Sequence, residues 1–333
     1  MIGPPSWLEK NFLSPKMTLE LIDRKSGERI LEPVFSENVM RFLYGPSALG
    51  QLLERFAVGT RSFGKLYGLL QDLPLDSDKL AHFCENLQIR TEDFEEGPYD
   101  TFNEFFIRRF RAGMRPFDPH LNHLAAPCEG RVLGFDRLSE SSRLPIKGQS
   151  LSIFDLYGGD KLLPKEVQDS TAWRSLIQAP EQLSAIVFRL APRDYHRFHF
   201  PCEGTQVGPT WRVSGRLRSV HPYSLRMNAS GDTYLGNERQ ISLLDSESFG
   251  PLLMIEVGAL TVGKIIQSHS PQLRPFKRGE EKGYFLFGGS TAVLVFSRNR
   301  ARVDSDLLQH TRQGLETLVQ LGTRIAVTTP LSG

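Results

Sequence analysis

The chain has only three cysteines, Cys84, Cys128 and Cys202, in 333 residues. They are too few and too scattered for a disulfide framework or a paired metal-binding motif, so a reducing compartment is the expectation. Net charge is also nearly absent. Forty basic residues against 38 acidic ones leave a formal +2, which removes any global electrostatic case for a nucleic-acid partner. No apolar run approaches the roughly 18 residues of a spanning helix, and Met1 to Asn11 lacks the basic-then-apolar order of a secretory signal. Any membrane contact is therefore expected at the surface. No internal repeat or low-complexity tract is visible. What is left is an ordinary globular composition and a length that fits one large domain or two smaller ones.

Three textures follow one another. Residues 1–35 mix prolines, charges and short apolar pieces. They read as an irregular N-terminal arm with one candidate hairpin, in which Leu19-Glu20-Leu21-Ile22 runs into the turn-like Asp23-Arg24-Lys25-Ser26-Gly27. Residues 36–115 are helical in pattern, with Ser36 as a candidate N-cap and Leu49, Leu52, Leu53 and Phe56, then Phe63, Leu66, Tyr67 and Leu70, at helical spacing. Arg41, Arg55, Arg61 and Lys65 accompany these faces. That combination suits a membrane-associating helix lying on anionic lipid, and equally an amphipathic helix packed on its own domain. A helix is predicted over Ser77–Leu87, and Thr101-Phe102-Asn103-Glu104 is a capping box opening another over Phe102–Phe110. Arg108, Arg109 and Arg111 at its far end either complement the helix dipole or form an anion-binding edge.

Residues 116–333 are β-rich. Short apolar runs such as Arg131–Phe135, Ala185–Leu190 and Leu252–Val257 are separated by Gly, Pro and Asn, which predicts a barrel or a sandwich. Helical turns at Ser152–Leu156 and Thr171–Leu176 and a closing helix over Asp304–Leu321 complete the pattern. The expected fold class is α+β: N-terminal amphipathic helices, then a largely antiparallel barrel or sandwich-like core, then a short C-terminal helix.

Two stretches carry candidate chemistry. In Gly283–Phe296, Gly288-Gly289-Ser290-Thr291 lies between two strand-like runs. Paired glycines permit a sharp turn, so the segment is either a hairpin with a polar tip or a serine placed to react with its own backbone. In Arg193–Pro201, His196 and His199 sit three apart among aromatics. They are candidates for general acid/base groups, for structural histidines, or for a metal pair, although no third ligand cluster appears beside them and no metal is expected.

The Tyr195-His196-Arg197-Phe198-His199 run and the Gly-Ser-Thr turn together resemble the phosphatidylserine decarboxylase family. Further stretches agree in order: Phe102–Arg109 with Arg115-Pro116, Ala126–Gly130, Ile146-Lys147-Gly148, Asn237-Glu238-Arg239, and Val257-Gly258-Ala259 through Val262-Gly263. Coverage runs from about Arg41 to Phe296. The resemblance implies self-cleavage between Gly289 and Ser290, with the Ser290 hydroxyl attacking the Gly289 carbonyl and Ser290 ending as a pyruvoyl group. That group would take a substrate amine and act as electron sink while carbon dioxide leaves. His199 is implied as the base for Ser290, and His196 as the acid that protonates the product. The family's turn aspartate, which orients the base, is replaced here by Glu129, one methylene longer. Phosphatidylserine is the implied substrate and phosphatidylethanolamine the product. The two cleaved chains are expected to stay associated, to assemble further as a homo-oligomer, and to bind peripherally at the cytoplasmic face of a bacterial membrane.

Rivals from other classes are a processing-deficient relative that binds anionic phospholipid, a serine hydrolase using Ser290 and His199, and a β-sandwich carrier module. The hydrolase lacks the Gly-x-Ser-x-Gly elbow, and the carrier lacks a lysine at the central tip.

Overall fold

The computed structural model describes residues 18–33, 42–43, 48–53, 72–138, 144–146, 149–151, 156–215, 237–258, 264–269, 275–286 and 290–329. In chain order its strands are β1 (Thr18–Asp23), β2 (Arg29–Pro33), β3 (His123–Ala125), β4 (Gly130–Leu138), β5 (Leu144–Ile146), β6 (Gln149–Leu151), β7 (Leu183–Leu190), β8 (Arg197–His199), β9 (Thr205–Val213), β10 (Arg239–Ser246), β11 (Gly250–Gly258), β12 (Ile265–Gln267), β13 (Glu281–Phe285), β14 (Ser290–Ser297), β15 (Ala301–Val303), β16 (Glu316–Val319) and β17 (Arg324–Thr328). The main sheet has the order β2-β1-β16-β4-β7-β14-β11-β10-β9. Its neighbours are antiparallel except β1 and β16, which run parallel.

The apolar runs are continuous because the central strands are covered on both faces. Every residue of β7 is buried. Alternation along β14 sends Val293 and Val295 to one side, where they meet Val187, Ile255 and the helical Trp173 and Leu176. Ala292, Leu294 and Phe296 go to the other side, against Phe198 of β8, Phe285 of β13, Ile265 of β12 and Leu307. Burying each such large side chain contributes about 1.5–3 kcal/mol. Two smaller sheets, β12-β13-β8 and β15-β17-β3, belong to this second layer. Layers approach closely there: a Cβ on Gly283 would lie 2.1 Å from the Ile266 carbonyl oxygen and 2.7 Å from the Phe198 ring.

The core is sandwich-like and not a barrel, since the main sheet is open at β2 and β9. The predicted helix over Asp304–Leu321 is shorter, Ser305–Arg312. Gly314 turns the chain with φ +74°, and the next residues form β16, where Glu316 ion-pairs with Arg189 at 2.7 Å. The helix opened by the Thr101 capping box ends at Phe106. Arg108 leaves it to donate to the Arg193 and Asp194 carbonyls at 2.8 and 3.1 Å. Thr171–Ile177 is helical, and so is Ser77–Asn86. Residues Ser36, Arg41, Phe56, Phe63, Leu66, Tyr67, Leu70 and Ser152 lie outside the described residues, as do Gly288 and Gly289.

Candidate active site

Four adjacent strands bring the singled-out stretches to one end of the main sheet. Ser290, the first residue of β14, pairs with Leu190 at the end of β7 and with Gly258 at the end of β11. Gly130, which opens β4, is held against the same β7 end: a Cβ there would lie 2.7 Å from the Arg189 carbonyl oxygen. Asn237 secures the other flank by donating through Nδ2 to the Gly258 carbonyl at 2.9 Å. The Ala-Pro-Cys-Glu-Gly turn, the histidine run that follows β7, the Asn-Glu-Arg segment and Ser290-Thr291 therefore lie at one end of the main sheet.

The segments on either side of Gly288-Gly289 are not two arms of a hairpin. β13 pairs with β12 and β8, whereas β14 pairs with β11 and β7. Phe285 and Ser290 thus end and begin strands of different sheets. Ser290 is fully buried, and its Oγ has no hydrogen-bond partner among the described residues, as is also true of Thr291 Oγ1. A buried hydroxyl left unpaired costs about 1–3 kcal/mol. By alternation Ser290 shares the face of Ala292 and Leu294, toward the layer that carries β8.

His196 is buried completely beneath Phe106, with ring centroids 3.7 Å apart. Its Nδ1–H donates to the Asp194 carbonyl at 2.9 Å, while Nε2 has no partner among the described residues. Burial, with Arg108 nearby, holds this imidazole well below the usual histidine range. His199 sits at the end of β8 with both ring nitrogens engaged. Nδ1–H donates to the Gly279 carbonyl at 2.9 Å, and Nε2 accepts from the Tyr195 hydroxyl at 3.1 Å. Burial lowers its pKa as well, and burial raises that of Tyr195. The pair is thus a neutral imidazole beside a neutral phenol.

Glu129 is not hydrogen-bonded to His199. Its carboxylate accepts from Arg115 Nε at 2.6 Å and Nη2 at 3.2 Å, and from the Leu321 amide at 3.4 Å. Arg115 also reaches Asp93 at 3.3 Å and lies over the Phe110 ring at 4.3 Å, and Phe110 packs on Tyr195 with centroids 4.4 Å apart. The turn itself does touch the histidine, because the Pro127 carbonyl accepts the His199 amide at 2.7 Å. Asp194, the other acid of this stretch, accepts the Ala191 amide at 2.6 Å and pairs with Arg131. Arg131 also donates through Nε to Glu32 of β2 at 2.8 Å.

Sequence reasoning missed three groups. Tyr195 stands out in the sequence only as part of a motif, and Gly279 carries no signal at all. The third is a buried pair on the Ser290 face: Lys282 Nζ lies 2.9 Å from Glu256 Oε1 and donates to Gln267 Oε1 at 2.8 Å. Glu256 pairs across strands with Ala292, two residues beyond Ser290. Burial pushes the lysine down and the glutamate up. A lysine inside an apolar strand pattern was the available clue.

The family model described as phosphatidylserine decarboxylase matches residues 102–326, more than half of the chain. A phosphatidylserine decarboxylase proenzyme of Chlamydia pneumoniae is 35% identical over 306 residues, covering 91% of this chain and 95% of that one. The proenzyme of Fusobacterium nucleatum is 32% identical over 306 residues, with 91% and 96% covered. That of Clostridium perfringens is 33% identical over 311 residues, with 92% and 99% covered. With its motif stretches gathered at one sheet end and relatives matching along nearly their whole length, the chain belongs to the phosphatidylserine decarboxylase family.

Proposed function

We propose that this chain is a proenzyme that cuts itself between Gly289 and Ser290 and then decarboxylates phosphatidylserine to phosphatidylethanolamine. The observation that carries the proposal is the Ser290 hydroxyl, fully buried and without a partner among the described residues. Ser290 Oγ attacks the Gly289 carbonyl carbon and the peptide C–N bond breaks, giving an ester. Loss of the Ser290 α-proton expels the Gly289 carboxylate, and hydrolysis of the resulting dehydroalanine releases ammonia and leaves the pyruvoyl group. When formed, that group supplies an electron sink for decarboxylation without an added cofactor.

The remaining roles belong to side chains. His199, with its Nδ1 proton fixed on the Gly279 carbonyl, is the base for the Ser290 proton once Nε2 exchanges the Tyr195 hydroxyl for that of Ser290. The Gly279 carbonyl thus does the orienting that the resemblance assigns to a turn acid. Glu129 acts through the turn, whose Pro127 carbonyl holds the His199 amide, and through its charge beside Arg115. His196, with its Nδ1–H on the Asp194 carbonyl and Nε2 bare, takes a proton at Nε2 from the incoming substrate ammonium and then returns it to the product carbon. Among the described residues no helix is long and apolar enough to cross a membrane. Leu49, Leu52 and Leu53 on the helix Ala48–Leu53 are exposed at 59%, 55% and 39%, which supports peripheral docking on a membrane surface, and the cytoplasmic face of a bacterial membrane is part of the proposal. The cleaved chains stay together because β14 is a central strand of the main sheet, and a homo-oligomer is part of the proposal.

The test is turnover of phosphatidylserine vesicles by purified protein, with phosphatidylethanolamine read by mass. Wild type is expected to form product and Ser290→Ala none. Equal product from both would overturn the proposal, and an uncut wild type that binds vesicles without turnover would identify a lipid-binding relative.

A further inference from the structure

Outside the site described above, Asp118, His120 and His123 each bring a ligand atom into one cluster. These atoms all lie within 4.8 Å of one another. His120 Nδ1 is 2.9 Å from Asp118 Oδ1, and His123 Nδ1 is 2.9 Å from Asp118 Oδ2. The two imidazole centroids stand 4.7 Å apart. The geometry points to a binding site for one divalent transition-metal ion of the zinc class, held by Asp118, His120 and His123.

The donor set and spacing suit such an ion. Two borderline imidazole nitrogens with one carboxylate oxygen make a donor set that zinc, cobalt(II) and nickel(II) accept. Metal–ligand bonds of about 2.0–2.1 Å in a tetrahedral arrangement place donor atoms about 3.3 Å apart, within the span observed. Coordination through Nδ1 requires each ring to carry its proton on Nε2, so the ion replaces the two hydrogen bonds now made to the carboxylate. Three protein ligands leave a fourth position, and His120, with its side chain 66% exposed, opens it to water.

The segment is built to hold this shape. The His120 amide donates to Asp118 Oδ1 at 2.9 Å, and the Asp118 amide donates to the Gly322 carbonyl at 2.9 Å. Arg278 spans the loop, donating to the carbonyls of Asp118, His120 and Leu121 at 2.8, 2.5 and 3.2 Å. That guanidinium is spent on backbone, and Arg324 is spent on Asp304 at 3.0 Å. Neither makes an ion pair with the Asp118 carboxylate, although Arg324 lies close enough to feel its charge. A preformed ligand set of this kind loses little freedom on binding.

The loop also backs the His199 side of the site. Phe117, next to Asp118, packs on His199 with centroids 5.8 Å apart. Gly279, next to Arg278, accepts the His199 Nδ1–H. An ion at Asp118 would therefore stiffen the backbone behind that imidazole.

The test uses full-length, metal-free protein titrated with cobalt(II) alone and then displaced by zinc(II). Wild type is expected to bind one equivalent with a visible ligand-field band, and to unfold at higher temperature with the metal than without. His120→Ala, Asp118→Asn and His123→Ala are each expected to weaken binding at least tenfold and to lose the thermal shift. His120→Ala removes an exposed ring, so it keeps the test open should His123→Ala fail to fold. Absence of the band in wild type, or an unchanged band and affinity in the folded variants, would overturn the assignment.

Discussion

The Tyr195 hydroxyl lies 3.1 Å from His199 Nε2, while the Gly279 carbonyl fixes Nδ1 of the same ring from the opposite side. A single tautomer follows, with the lone pair on Nε2 and the proton on Nδ1. His199→Ala is accordingly expected to abolish self-cleavage, leaving one chain on a denaturing gel. Tyr195→Phe keeps the base and its tautomer, so cleavage should persist with a changed rate. Complete loss of cleavage in Tyr195→Phe would assign the proton transfer to the phenol.

Burial lowers both His196 and His199 below the ordinary value of 6.5. The unfolded chain then binds protons that the folded chain refuses, so stability is full above about pH 6.5 and is lost as pH falls from there toward the folded values. Urea midpoints of wild type should drop on acidification through that window, and those of His196→Gln should drop less. Parallel pH curves for the two proteins would contradict the burial account.

Glu129 neutralises Arg115 together with Asp93. Glu129→Gln removes that charge, and self-cleavage should slow by about tenfold, about 1.4 kcal/mol of barrier. Glu129→Asp retains the charge and should cleave faster than Glu129→Gln in a gel time course. Equal rates for both variants and wild type would remove Glu129 from the site.

Two buried cations, in three ion pairs, tie remote segments to this end of the sheet. Arg131 joins Glu32 of the N-terminal hairpin to Asp194, whose carbonyl holds His196. Lys282 joins β13 to Glu256 of β11. Arg131→Met and Lys282→Met each strand buried carboxylate and should cost about 3–5 kcal/mol in denaturant unfolding. Replacing both members of the second pair, Lys282→Met with Glu256→Gln, should recover much of that loss.

The sequence carried much of the strand content, because β7, β11 and β14 are buried on both faces and read as unbroken apolar runs. The Thr101 capping box was legible for the same local reason. Pairing was not. Phe285 and Val293 flank the glycines like the arms of a hairpin, yet long-range pairing puts them in different sheets. The predicted helix through Leu315 and Leu318 failed because Leu318 belongs to a strand whose partners, β1 and β4, are distant in sequence. In the candidate site the histidines were visible from residue type, whereas the Gly279 carbonyl that orients His199 is a backbone atom and leaves no mark on composition. Glu129 was found by its position in a motif, but its carboxylate follows Arg115, a contact that only the folded chain reveals.

The central claim is that Ser290 gives up its own hydroxyl chemistry to form a carbonyl. Intact mass of the purified protein, taken before and after borohydride, tests it most directly. The account predicts a break before Ser290 and a short chain of 333 − 289 = 44 residues that gains mass on reduction. A single uncut chain, or a short chain beginning with an unmodified serine and unchanged by borohydride, would contradict it.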